Sequence, residues 1–300
     1  MKKIQVIHNP TAGDSEQGKK ELLAQLEPYA KKISYASTDD DNWEDFTLDN
    51  EDLIVLCGGD GTVHKLVNVL LKKKKKQRNI PIYLVPAGTA NNIATTLNLQ
   101  SPRDFKIQEN LKNYQLFDYG KISGLNDYDF FLEGIGFGIF PELIRRMKEK
   151  DEIPNETADE KLQRTLKVCK EIVEQMEPVK VKIDADGEAI KGKFLLAEVL
   201  NTRHIGPNLE LAQQAHPGDG IMDLILISPE DRSLFLDYIH SLLLGKTDDV
   251  DVHKFVKVIK VKKVKMKSKA SIMHVDDSIL TEEQAYKFKL KVKEGEFRFI

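Results

Sequence analysis

The chain has little with which to build a covalent or metal framework. Its two cysteines, Cys57 and Cys169, stand far apart in 300 residues, with neither zinc-site spacing nor the even set of a disulfide scaffold. A reducing, cytoplasmic setting is the expectation. No apolar run approaches the roughly 18 to 20 residues of a helical membrane span. The stretch Ile4 to Ile7 is interrupted by Gln5 and ended by His8, too short for a signal-peptide core. Membrane contact is therefore expected to be peripheral, on the inner surface. Positive charge is not in excess either. A net charge of -3 and a pI near 6.2 exclude a global attraction to nucleic acid, and no basic patch with interleaved aromatics replaces it. What remains is 41% apolar and 31% charged residues, the balance of a globular chain long enough for two packed cores.

The apolar pattern changes along the chain. Ile4 to His8, Leu53 to Cys57 and Ile80 to Val85 are short buried-strand runs, each followed by a glycine-containing loop and then a helical pattern. After the second loop, Val63, Leu66, Val67 and Leu70 form one helical stripe. This rhythm predicts a Rossmann-like α/β domain over residues 1–120, its sheet mostly parallel with helices on both faces. From about Asp118, Tyr128 to Leu132, Val179 to Ile183, Phe194 to Leu200 and Met222 to Ile227 read as strands without a helix between each pair. Residues 121–300 are expected to form a β-rich domain, an antiparallel sandwich, with the last residues free to return to the first domain. Helices are expected at Ala158 to Met176 and Ser233 to Leu244, and one long strand at Phe255 to Met266.

Gly58-Gly59-Asp60-Gly61-Thr62 lies between a buried strand and the start of a helix. Backbone N–H groups there have no intrahelical partner, and the helix dipole favours an anion. Glycines allow the backbone to approach a phosphate closely. A carboxylate beside a phosphate repels it unless a divalent cation lies between, so Asp60 reads as a magnesium-holding residue, directly or through water. The competing reading is a plain helix cap. Gly218-Asp219-Gly220 reads by itself as a turn before a strand.

The five-residue loop resembles the glycine loop shared by diacylglycerol, sphingosine and NAD kinases and, in variant form, phosphofructokinases. Asn9-Pro10-Thr11-Ala12-Gly13 and Pro86-Ala87-Gly88-Thr89-Ala90-Asn91-Asn92-Ile93-Ala94 are similar to the first loop and the loop after the third strand of the soluble diacylglycerol and sphingosine lipid kinases. NAD kinases lack the last string, which disfavours that third reading. Asp118-Tyr119-Gly120, Asn201 to Gly206 and Gly218 to Leu224 continue the resemblance in order. It implies an ATP- and Mg2+-dependent kinase acting on a lipid hydroxyl at the membrane surface, with diacylglycerol or a related lipid as acceptor. ATP would be contacted by Asn9, Thr38, Gly58, Gly59, Asp60, Gly61, Thr62, Gly88 and Thr89. Asp118 would join the acidic network around magnesium. Asp219, with the backbone oxygens of His216 and Ile221, would hold a second, structural magnesium through the oxygen ligands a hard cation prefers. Homo-oligomerisation is left open.

Two stretches depart from the family pattern. Asn92 stands where the family usually has Asp. Asp276-Asp277-Ser278 stands where it has Asp-Gly-Glu, whose Glu is the proposed general base, and serine is no base near neutral pH without its own activator. Asp186-Gly187-Glu188 reads as a hairpin turn and comes too early, and Glu294-Gly295-Glu296 comes too late. Side-chain alternation would put Asp276 and Ser278 on one strand face, which makes Asp276 the expected substitute base. The alternative is a nucleotide-binding protein of the same family that has lost turnover. The lysines of Lys72 to Lys76 and Lys257 to Lys267 read as a solvated helix end and as edge-strand protection, or as attraction to a membrane surface.

Overall fold

The computed structural model describes residues 2–12, 18–48, 52–99, 113–150, 153–154, 156–246, 250–282 and 284–300. Gly13 lies outside them. The chain divides into two units, Met1–Asp118 with Gly295–Ile300, and Tyr119–Glu294.

Unit one carries strands β1 (Lys2–His8), β2 (Ala30–Ser37), β3 (Leu53–Gly58) and β4 (Ile82–Pro86) in the order β2-β1-β3-β4, all parallel. Helices α1 (Lys19–Leu26), α2 (Asp60–Leu71), α3 (Lys75–Arg78) and α4 (Asn92–Thr96) follow or connect them. Every residue of β3 is buried, as expected of a central parallel strand covered on both faces. Ile4, Val6, Val55 and Val85 pack with Leu22 and Leu26 of α1. β2 is absent from the sequence reading, because an edge strand with exposed Lys31 and Lys32 carries no strong apolar signal. The five-lysine run is not one helix end. α2 stops at Leu71, Lys73 donates to the Phe46 carbonyl at 3.1 Å, and Lys75 opens α3.

β5 (Gln115–Ser123) leads the chain from unit one into unit two. There follow β6 (Phe130–Phe131), β7 (Gly134–Gly138), α5 (Ile139–Glu149), α6 (Ala158–Gln175), β8 (Val179–Ala185), β9 (Glu188–Phe194) and β10 (Leu196–Leu200). Next come β11 (His204–Ile205), β12 (Leu209–Glu210), β13 (Met222–Ile227), α7 (Arg232–Leu243), β14 (Lys257–Val261), β15 (Lys263–Ser268), β16 (Ile272–Val275), β17 (Ser278–Thr281) and β18 (Tyr286–Phe299). One antiparallel sheet runs β14-β13-β10-β7-β16-β17. A second antiparallel run is β18-β15-β8-β9. Phe137, Val199, Leu224 and Met273 of the first pack with Ile183, Val264, Met266 and Phe288 of the second, the core of a β-sandwich. The first sheet's other face is covered by Leu143, Leu166, Ile172, Phe235 and their neighbours on α5, α6 and α7. Its strands β7, β10 and β13 are therefore buried throughout, whereas β15 alternates exposed and buried residues because only one of its faces is covered.

Two expected strands divide where the chain passes from one sheet to the other. Phe194 ends β9 and Leu196 begins β10, with the Leu195 N–H donating to the Ile227 carbonyl at 2.9 Å. Phe255 to Met266 splits at Lys262, because the Asp186 carboxylate takes the N–H groups of Lys262 and Lys263 at 2.7 and 2.8 Å. Asp186-Gly187 is the hairpin turn expected, with φ of 49 and 98°. α5 continues directly from a buried strand after Gly138, whose φ of 110° suits glycine, so no polar boundary marked it in the sequence.

β18 ends in unit one, where Phe299 pairs in parallel with Ile82 and its ring meets Phe117 edge-on at 5.2 Å. α6 begins with a capping box, the Thr157 hydroxyl accepting the Glu160 N–H and the Glu160 carboxylate accepting that of Thr157. Thr157→Ala is expected to lower the unfolding free energy by about 1 kcal/mol, read as a lower urea midpoint at constant slope.

Candidate functional site

The loops after all four parallel strands of unit one open at the same sheet edge, the carboxyl end. β1 and β3 are neighbours whose chains continue to opposite sides, β1 to β2 and β3 to β4. That junction is where open α/β sheets leave a crevice for ligands. The Asn9 side-chain amide donates to the Thr62 hydroxyl at 3.1 Å, tying the loop after β1 to the glycine loop after β3. Asn9 Oδ1 in turn accepts the N–H and the hydroxyl of Thr11. Thr38, just past β2, donates its N–H to the His8 carbonyl at 2.8 Å, so it stands beside the end of β1.

Gly59 is the N-cap of α2, and it lies against Gly88 backbone to backbone. A Cβ at Gly59 would sit 2.8 Å from the Gly88 Cα, and one at Gly88 would sit 2.6 Å from the Gly59 Cα. The two glycine loops can meet only without side chains. The Gly88 loop is closed on itself by Asn91, in the left-handed region at φ 51°, whose side chain accepts from the Gly88 N–H and donates to its carbonyl. Gly61 is exposed at the loop's tip, and Thr89 follows Gly88 at the same edge.

Asp60 does something neither sequence reading foresaw. It is the first residue of α2, and its carboxylate accepts the N–H of Asn92 at 2.9 Å and of Ile93 at 3.0 Å, the opening residues of α4. It therefore welds the second glycine loop to the first. Asn92, where the family pattern has Asp, is buried at the start of α4.

Two expectations need correction. Asp118 is expected in the acidic network around magnesium, but its side chain is fully buried and accepts the Gly295 N–H at 2.6 Å. A carboxylate with no surface offers no face to a hydrated cation. Asp276 was placed on a strand face with Ser278. It is instead a turn residue between β16 and β17, at φ 48°. Its carboxylate is almost completely buried and accepts the N–H groups of Leu132, Glu133 and Gly134 at 2.9 to 3.2 Å. Lone pairs held by three amides are poorly placed to take a proton from an alcohol, so Asp276 reads as the anchor of that corner.

Around Asp219 the backbone folds on itself. The His216 carbonyl accepts the Asp219 N–H at 3.1 Å, and Asp219 Oδ1 accepts the Ile221 N–H at 2.9 Å. Gly220, at φ 74°, leaves room for the Glu294 carboxylate, which a Cβ there would approach to 2.9 Å. Among the described residues no group of three or more His, Cys, Asp or Glu side chains is arranged to hold a metal.

The sequence reading missed a buried ion pair. Glu198 on β10 and His274 on β16 both pair in register with Gly136 on the strand between them. Because Gly136 has no side chain, they meet across it, Nε2 to Oε1 at 2.6 Å, and a Cβ at Gly136 would lie 2.6 Å from Glu198 Oε2. His274 Nδ1 lies 2.8 Å from the Asp276 carbonyl and therefore carries its proton there. Both side chains are buried to within 1%. Burial pushes the Glu198 carboxyl up; burial pushes His274 down, but the adjacent Glu198 carboxylate outweighs it and the imidazole ends raised. The pair holds one proton tightly. One signal was legible: a glutamate within the otherwise apolar run Phe194 to Leu200.

Unit one is thus a parallel sheet with glycine loops at its carboxyl edge, and unit two an antiparallel sandwich. Residues 3–122 match the diacylglycerol kinase catalytic domain, and residues 153–285 match the YegS C-terminal NAD kinase beta sandwich-like domain. Over these two stretches the chain is similar to proteins of the diacylglycerol kinase family. It is 26% identical to a diacylglycerol kinase of Bacillus subtilis, over 82% of this chain and 80% of that one. A crystal structure of a diacylglycerol kinase from Bacillus anthracis superposes with a TM-score of 0.67 at 19% identity, covering 99% of this chain and 96% of the other. An NAD kinase from Archaeoglobus fulgidus, solved in complex with ATP, gives 0.52 at 15% identity, covering 99% and 92%. Among the described residues no helix is long and apolar enough to cross a membrane.

Proposed function

We propose that the protein transfers the γ-phosphate of ATP to a lipid hydroxyl, with diacylglycerol or a close relative as acceptor, as a peripheral cytoplasmic enzyme. The observation that carries this reading is the contact of Gly59 with Gly88, beside the Asn9–Thr62 bond, at the β1/β3 switch point. Unit one is the nucleotide unit, and unit two handles the acceptor. The N-terminus of α2 holds phosphate oxygens, the glycines permit their approach, and Asn9 and Thr38 border the same edge. Asp60 keeps the two loops in register and is the carboxylate that would hold magnesium, directly or through water. Magnesium, when bound, neutralises charge on the phosphates. Phosphoryl transfer depends mainly on such positioning and electrostatics.

A second reading, a nucleotide-binding member without turnover, is favoured by Ser278 and by the engagement of Asp276 with three amides. Loss of a general base costs roughly 10² to 10⁴ in rate. The deciding assay gives the protein radiolabelled ATP, magnesium and mixed micelles of diacylglycerol, monoacylglycerol, phosphatidylglycerol, sphingosine or ceramide, with NAD as a separate arm. Label in an extracted lipid is the expected result. ATP binding without label in any lipid favours the second reading, and label in NAD sinks both.

A further inference from the structure

The outer face of the β18-β15-β8-β9 run is a lattice of lysines. Across β15 and β18, Lys263 faces Lys291, Lys265 faces Lys289 and Lys267 faces Lys287. Across β15 and β8, Lys267 also faces Lys182. Across β8 and β9, Lys182 faces Lys191 and Lys180 faces Lys193. All of these side chains are exposed, and the alternate residues of the same strands form the sandwich core. The one carboxylate in the lattice is Asp184, paired with Lys265 at 2.7 Å.

Edge protection does not account for this arrangement. β15 and β8 are interior strands, each hydrogen-bonded on both sides, and lysine blocks aggregation only at an edge. Like charges directly opposed across strands destabilise a sheet, and here they recur pair after pair. The chain as a whole is acidic, with a net charge of -3, so these lysines are segregated onto one face.

We propose that this face is a docking surface for an anionic membrane. Strands about 4.8 Å apart, with lysines about 7 Å apart along each, present a broad array of ammonium groups. That array matches the many dispersed phosphates of a lipid surface. The lysine stems border an open groove of about 430 Å³ between Lys182, Lys265, Lys267 and Lys287, with Ser123 and Gly124. Among the described residues the face offers no aromatic ring on which a base could stack and no arginine fork to read one, which disfavours nucleic acid. The choice of a lipid surface rests on the lipid-kinase reading; the charge lattice does not.

The test is co-sedimentation with vesicles of phosphatidylglycerol mixed with phosphatidylcholine, without ATP, at low and high salt. Binding is expected at low salt, lost at high salt, and absent on phosphatidylcholine alone. Lys182→Gln, Lys267→Gln and Lys289→Gln together are expected to weaken it about 100-fold, at about fivefold per lysine. Their removal relieves like-charge repulsion, so the variant's melting temperature should not fall. A comparison variant, Lys72→Gln with Lys74→Gln and Lys76→Gln, is expected to bind as the parent does. Equal binding by the sheet variant, loss in the comparison variant instead, or retention on single-stranded DNA with none on vesicles would each overturn the proposal. Turnover of a water-soluble short-chain diacylglycerol separates the two readings. Turnover without vesicle binding removes this surface alone, and vesicle binding without turnover removes the kinase reading alone.

Discussion

Asp60→Ala is expected to lower phosphate transfer about 10²- to 10³-fold, the scale of losing one preorganised electrostatic element of a transfer site. The same change strips the Asn92 and Ile93 amides of their acceptor, so stability should also fall, by about 1 to 2 kcal/mol. Asp60→Asn separates these effects. The amide keeps one oxygen for α4 and loses the charge, so most stability should return while turnover stays low and magnesium no longer strengthens ATP binding. Calorimetric titration of ATP with and without magnesium, beside the urea midpoint, checks both. Recovery of turnover in Asp60→Asn would reduce Asp60 to a loop clamp.

Glu198→Ala should destabilise unit two by about 3 to 5 kcal/mol, since removing one partner leaves His274 buried without its counter-group. Replacing both by leucine should cost much less, because no charge is then stranded. The intact pair also makes stability depend on pH. Both groups are shifted upward, so the folded pair binds its proton more tightly than the unfolded chain, where histidine titrates near 6.5 and glutamate near 4.5. Each contribution is complete below that group's unfolded value and declines as pH rises through its folded pKa, so the loss opens past 4.5 with Glu198 and continues past 6.5 with His274, at up to about 1.4 kcal/mol per pH unit for each proton. Urea midpoints taken at increasing pH should fall more steeply in the parent than in the double-leucine variant. Parallel profiles would mean that the pair does not retain its proton.

These two sites show where the sequence was readable. The strand–glycine–helix rhythm identified β1, β3 and β4, because buried parallel strands are continuous apolar runs that end in loops of distinctive composition. The edge strand β2 lacked that signal, and α5 was hidden because apolar residues continue unbroken from strand to helix. Asp60 was visible as an acidic residue in a phosphate-type loop, but its partners lie more than thirty residues away. Asp276 misled because alternation along a strand assumes that the strand continues, and here it turns.

By itself the sequence determined the family resemblance, the two architectures and the glycine loops, since these depend on local patterns of residue type and short spacing. Only the tertiary structure decided which polar groups are committed to the scaffold: Asp118 to Gly295, Asp276 to three amides, and Glu198 to His274 across the gap left by Gly136. It alone also set the lysines of four strands opposite one another. Strand register and burial arise from contacts between distant segments, and the cost of a buried or opposed charge depends on those neighbours rather than on its place in the chain.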